Sequence, residues 1–184
     1  MSAAPRRWAA ELLHFWFHTL GPRDWFRGGP SVDLALAKRF EPELRSLFTQ
    51  SADSFLSDPL TARAAILLFD QIPRNLYRGT AEAFAFDPLA RHICHGVLAN
   101  GWDRGLPRAE RQFIGLPLEH SEHVADQRAS LAFYATLGDS FTFSYARSHY
   151  RMIARFGRFP HRNEALGRKS TPAELAAIAA GNAW

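Results

Sequence analysis

Proline recurs along this 184-residue chain at intervals of one or two helix lengths, repeatedly beside a residue that caps helices, and this punctuation constrains the fold more than any other feature. Asp58 before Pro59, Asp87 before Pro88 and Thr171 before Pro172 each put proline at the first helical position. There its missing N–H would have had no intrahelical partner and its fixed φ is already helical. Thr171 and Glu174 add a capping box. Between these marks the apolar residues keep helical spacing. Trp8, Leu12, Phe15 and Trp16 share one face of a first helix, with Ser2 before it and Pro5 in its first turn. After a Gly/Pro loop from Gly21 to Pro30, Ser31 caps a helix carrying Leu34, Leu36, Ala37 and Phe40, and Pro42 restarts it toward Phe48. The third helix runs through Ile66, Leu67 and Phe69 until Pro73 ends it. Leu89, Ile93 and Val97 mark another, closing near Gly101. Pro107 starts a short helix, Pro117 a longer one reaching Leu137 and Gly138, and a further helix runs from Ser140 to Phe156. No segment alternates with a period of two, so no sheet is predicted. The expected fold is all-α, with seven to nine helices in one domain spanning residues 1–184.

Composition supports a packed core. Hydrophobic residues make up 47% of the chain, and a domain of this size typically buries about 70% of the surface its unfolded chain exposes. The lone cysteine, Cys94, excludes an intramolecular disulfide and fits a reducing, cytoplasmic location. No run approaches the roughly 18 to 20 apolar residues of a membrane span, so no membrane partner is expected. Arg6 and Arg7 precede an apolar stretch from Trp8 to Phe17, but Glu11 and His14 interrupt it and no small-residue cleavage site follows, so a first helix is expected there rather than a signal peptide. No 34-residue repeat and no low-complexity tract is present.

Charge is more informative by placement than by sum. The net charge is +4, yet between Ser140 and Lys169 stand Arg147, Arg151, Arg155, Arg158, Arg162, Arg168 and Lys169 against one acid, Glu164. A local excess of that kind attracts anions. Being confined, and lacking a recognised module, it does not point to nucleic acid.

Three segments are denser in polar groups than packing requires. In the first, Leu68 to Thr80, Asp70 follows the apolar run Ala64 to Phe69. A carboxylate there needs a cationic or hydrogen-bonding partner, with Arg74, Arg78, Arg155 and Arg158 as candidates. In the second, Leu116 to Gln127, His120, His123 and Gln127 share a helical face. His120 with Glu122 suits proton transfer, whereas the pattern lacks both Glu-x-x-His and His-Glu-x-x-His, so no metal is assigned. Glu119 and Asp126 are read as solvated charges near a helix start. In the third, Arg155 to Arg168, Gly157 and Pro160 end a helix, so that Arg158, His161, Arg162 and Asn163 project from a donor-rich turn able to hold an anion. On the preceding helix, Tyr145, His149, Met152 and Phe156 form the apolar face, and Arg147 and Arg151 lie opposite. His149 is read as a core histidine.

The same segments carry a resemblance. D-Q-I-P-R-N-L-Y-R-G-T from Asp70, A-F-x-x-D-P-L-A-R from Ala83, E-H-S-E from Glu119 with Gln127, and R-F-G-R-F-P-H-R-N-x-x-L-G-R-x-S-T from Arg155 stand in the order seen in the bacterial domain of unknown function family 924. L-x-F-W-F from Leu13 fits too, so the chain resembles that family over nearly its whole length. The resemblance implies a tetratricopeptide-like α-α superhelix, and it implies no activity, substrate or cofactor. By matching position it marks Asp70, Gln71, Arg74, Asn75, Arg78, His120, Glu122, Gln127, Arg158, His161, Arg162, Asn163 and Arg168. Two function classes follow. One is a small anionic ligand bound by Arg74, Arg158 and Arg162, with Asp70, His120 or His161 as acid or base if a reaction takes place. The other is a protein or peptide interaction module in which the polar strings are internal ion-pair struts. Neither class requires a cofactor, and oligomeric state is left open.

Overall fold

Asp58 and Thr171 cap helices as their spacing predicts. The Asp58 carboxylate accepts the Thr61 N–H at 2.8 Å, and the Thr171 N–H donates to Glu174 at 2.7 Å while the Thr171 hydroxyl accepts the Glu174 N–H at 3.3 Å. The computed structural model describes residues 7–181, which leaves the Ser2 and Pro5 start of the first helix outside the described residues. All regular elements among them are helical: α1 (Arg7–His14), α2 (Pro22–Arg27), α3 (Pro30–Leu47), α4 (Pro59–Ile66), α5 (Ile72–Leu76), α6 (Asp87–Ala99), α7 (Arg108–Glu119), α8 (Val124–Ala135), α9 (Ser140–Phe156) and α10 (Pro172–Ala179). A π turn, Leu67–Gln71, joins α4 to α5 without a break, giving a single rod.

Ser31 does not cap α3, which starts at Pro30 after Gly29, and four further boundaries differ from expectation, each for a local reason. Pro73 does not end the rod: the wider π turn resets the register, so that proline falls in the first turn of α5, where its missing N–H costs little. α3 passes straight through Pro42; both Pro42 and Lys38, whose carbonyl loses its donor, are exposed, so water replaces the lost bond. The segment from Gly21 to Pro30 is not all loop, because α2 forms within it and Asp24 accepts the Gly21 N–H at 3.0 Å. Finally, Pro117 lies in the last turn of α7 rather than opening a long helix. The break that follows is held by Gln127, whose side-chain amide donates to the carbonyls of Glu119 (2.6 Å) and Ser121 (2.7 Å). It thereby satisfies acceptors that a helix end leaves orphaned.

The core gathers Leu12 of α1, Phe15 and Trp16 of the π turn that follows it (Phe15–Thr19), Phe40 and Leu44 of α3, the apolar run Ile66 to Phe69 and Phe113 of α7. Helices α7 and α8 approach closely at Gly115, where a Cβ would stand 2.5 Å from the Phe133 ring. Met152, Ile153, Phe159 and Ala177 form a smaller cluster that seats α10. Gly157, at φ +70°, ends α9 in a left-handed turn and sends the chain back across it.

Candidate functional site

The three polar segments meet. Asp70, set in the π turn, is 0% exposed, and its carboxylate accepts from His120 Nδ1 at 2.8 Å and from the Gln71 amide. Arg74, one turn on, stands 3.4 Å from the same carboxylate. Its fork grips Asp87 at 2.8 and 3.0 Å, and Arg162 reaches Asp87 from the C-terminal turn at 3.2 Å. The Arg162 guanidinium lies over the rings of Phe84 and Phe159, at 4.6 and 4.5 Å. Beside it Glu122 accepts the Phe159 N–H at 2.8 Å and a bidentate fork from Arg168 at 2.8 and 3.0 Å.

Burial and neighbours set the protonation states. Burial by itself would raise the Asp70 carboxyl, but Arg74 and His120 overcome it and hold the group below the usual carboxylate range, hence ionised. Facing an ionised acceptor, His120 carries a proton on Nδ1. Nε2 of His120 makes no hydrogen bond to another described residue, and its side chain keeps 16% of its surface exposed. Burial, with Arg74 adding, lowers the basicity of His120. Burial lowers His149 to about 3 and His161 to about 4, with repulsion from His120 and Arg162 respectively. Arg162 falls to about 10 through burial and the nearby Arg74.

Other marked residues do different work. Gln127 and Gln71 hold backbone and carboxylate as described, and Asn75 donates to the Gln71 carbonyl at 3.1 Å. Asn163 is buried and donates to Ser170 at 3.1 Å, while its Oδ1 has no hydrogen-bond partner among the described residues. Arg158 clamps Glu174 at 2.7 and 3.0 Å and so ties α10 to the turn. Arg78 is exposed and pairs with Asp33 at 3.2 Å. Arg155, exposed on the last turn of α9, lies over the ring of its neighbour Phe156 rather than beside Asp70. His120 and His123 do not share a helical face, since one follows α7 and the other precedes α8.

Glu119 and Asp126 are not solvated. Glu119 is 4% exposed and Asp126 5%, because Glu119 closes a helix inside the molecule and Asp126 is claimed by three partners. These are the Ser121 hydroxyl at 2.7 Å, an ion pair with Arg91 at 2.7 Å and His95 at 2.8 Å. Glu119 lies 3.1 Å from His149 Nδ1, which also reaches the Tyr145 carbonyl at 2.9 Å. The ring centroids of His149 and His120 are 6.3 Å apart. Asp87 was legible only as a helix cap, yet it is the first residue of α6 and its carboxylate serves two arginines. One signal pointed to it: Arg158, Arg162 and Arg168 stand in a stretch with a single acid, Glu164, so the buried or half-buried ones among them need carboxylates from elsewhere.

Among the described residues, no helix is long and apolar enough to cross a membrane. No curated protein matches the chain. A solved structure, that of a protein of unknown function, ATU0120 from Agrobacterium tumefaciens, is similar to it. The two share 34% identity, with 92% of this chain and 96% of that one covered and a TM-score of 0.87. The model of one family matches residues 12–182. With nearly the whole length matched, the chain belongs to the family described as Bacterial protein of unknown function (DUF924).

Proposed function

We propose that the polar junction is a small-ligand site centred on His120, taking a small anion such as a phosphate or carboxylate and able to act on it by proton transfer. The observation that carries this reading is the state of the His120 ring. Asp70 fixes Nδ1, and Nε2 is left without a hydrogen bond to the described residues. A carboxylate so placed sets both tautomer and ring direction and makes the far nitrogen a better base. Arg74 and Arg162 stand beside it, and each shares Asp87 in a way that leaves guanidinium N–H groups for a ligand. His161 lies on the same turn as Arg162. Calorimetric titration with sulfate, phosphate and small carboxylates tests the reading. Binding that weakens at least tenfold in His120→Gln supports it, and equal binding by both proteins refutes it.

One observation favours a second reading. Arg74, Arg158, Arg162 and Arg168 each meet a carboxylate, as struts would inside a tetratricopeptide-like stack whose concave surface takes a peptide. In that case Asp87→Asn lowers stability and leaves small-anion binding unchanged.

A further inference from the structure

Within the junction, three guanidinia face three carboxylates. Arg74 lies against Asp70 and Asp87, Arg162 against Asp87, and Arg168 against Glu122. These charges cancel. The imidazoles of His149 and His161 are neutral at pH 7, and so is Glu119, pushed up to about 8 by burial and by the charge of Asp70. The site at rest is therefore electrically neutral, although it is built from arginine and histidine. An anion entering such a cluster adds an uncompensated charge in a place with little water, which is costly unless another charge arrives with it.

The geometry offers that charge a place at His120. From the rod, His120 faces Asp70 and Arg74; from the C-terminal turn, Arg162 and His161; and from α9, His149 with Glu119 behind it. Of these, Asp70 is already committed to Nδ1 of His120, and Glu119 lies against Tyr134 and His149 rather than at the surface. Nε2 of His120 is the nitrogen that can gain a proton while Nδ1 keeps its bond. The imidazolium so formed sits between the Asp70 carboxylate and the ligand.

Building on the anion-site reading, we propose that the junction takes up its anion together with one proton, which settles on Nε2 of His120. The ligand it selects is a small acid present as a monoanion that still holds an ionisable proton, such as dihydrogen phosphate. In the complex the O–H bond of the acid breaks, an N–H bond forms at Nε2, and the dianion is held by the imidazolium and the two guanidinia. With an anion that has no proton to give, the same proton comes from solvent. Glu119 sets the alkaline limit, because its ionisation places a further negative charge behind His149.

Calorimetry with sulfate, which carries no proton between pH 6 and 9, tests this in buffers of different ionisation enthalpy. The expected result is uptake of nearly one proton per sulfate and an affinity that falls about tenfold per pH unit above neutrality. Glu119→Gln should keep that slope to pH 8 and lose any steeper fall beyond it. NMR of the His120 ring in the unaltered protein supplies a check independent of variants: sulfate should bring out the imidazolium signature at pH 7.5. Sulfate bound without proton uptake, or with a neutral His120 ring, overturns the proton coupling and leaves the anion site standing. No binding of sulfate, phosphate or small carboxylates between pH 5.5 and 9 overturns the site and this inference together.

Discussion

A single carboxylate, Asp70, decides how the junction is charged. Asparagine at that position has the same shape but carries no charge, which leaves the single carboxylate of Asp87 to balance both Arg74 and Arg162. Asp70→Asn should therefore cost about 3 to 5 kcal/mol in urea unfolding, the usual consequence of breaking a buried pair. A midpoint unchanged from the parent would show that the carboxylate is dispensable. The histidines supply a pH dependence whose sign follows from their direction. His149 and His161 are held at about 3 and about 4 in the folded protein against an ordinary 6.5, so the folded state binds fewer protons than the unfolded one in that window. Stability should be full above pH 6.5 and fall as the pH drops toward 3. Glu119 acts in the opposite sense: raised from 4.5 to about 8, its contribution is present at low pH and lost as pH rises through that interval. Chemical denaturation across pH 3 to 9 should show a maximum near pH 6 to 7, with Glu119→Gln flattening the alkaline side.

At the scale of elements, two residues hold the α7–α8 corner on which His120 depends. Gln127 donates to the carbonyls at the end of α7. Replacing it by leucine leaves those acceptors buried and unpaired, which costs about 1 to 3 kcal/mol. Gly115 permits the close approach of Phe133, and Gly115→Ala puts a methyl 2.5 Å from that ring, a contact relieved by displacing the ring or the helix that carries it, at about 1 to 3 kcal/mol. Both variants should release the His120 ring, seen as faster amide exchange at the end of α7. Unaltered exchange there would mean that the corner is held by other contacts. Helix starts were readable because a cap and a proline act within three or four residues. Pro42 and Pro73 misled for the complementary reason: whether a proline stops a helix depends on what replaces the lost hydrogen bond. Here water at Lys38 and the register of a π turn decided, and neither is written in the local residues.

Across the whole molecule, the junction joins the rod to the C-terminal turn, and Arg158 with Glu174 then ties α10 to that turn. Glu174→Gln should loosen α10 in hydrogen exchange and leave the Asp70 and His120 amides protected; loss of protection at both would show the two to be one cooperative unit. The all-helical class was settled by periodicity and capping alone, since both repeat within a few residues and owe nothing to distant parts of the chain. That Asp70 needs a cation also followed from its sequence neighbours, because a charge beside Leu67, Leu68 and Phe69 is costly wherever the chain goes. Which partner was a matter of tertiary structure. Arg74, one helical turn away, was within local reach, but His120 arrives from fifty residues on and the second carboxylate of Arg74, Asp87, from a helix of its own, while Arg155 points outward despite an equally suitable sequence context. Glu119 and Asp126 show the same division. Their charge is a property of the residue, but their burial depends on which helices close over them, and that is determined only when the whole core packs.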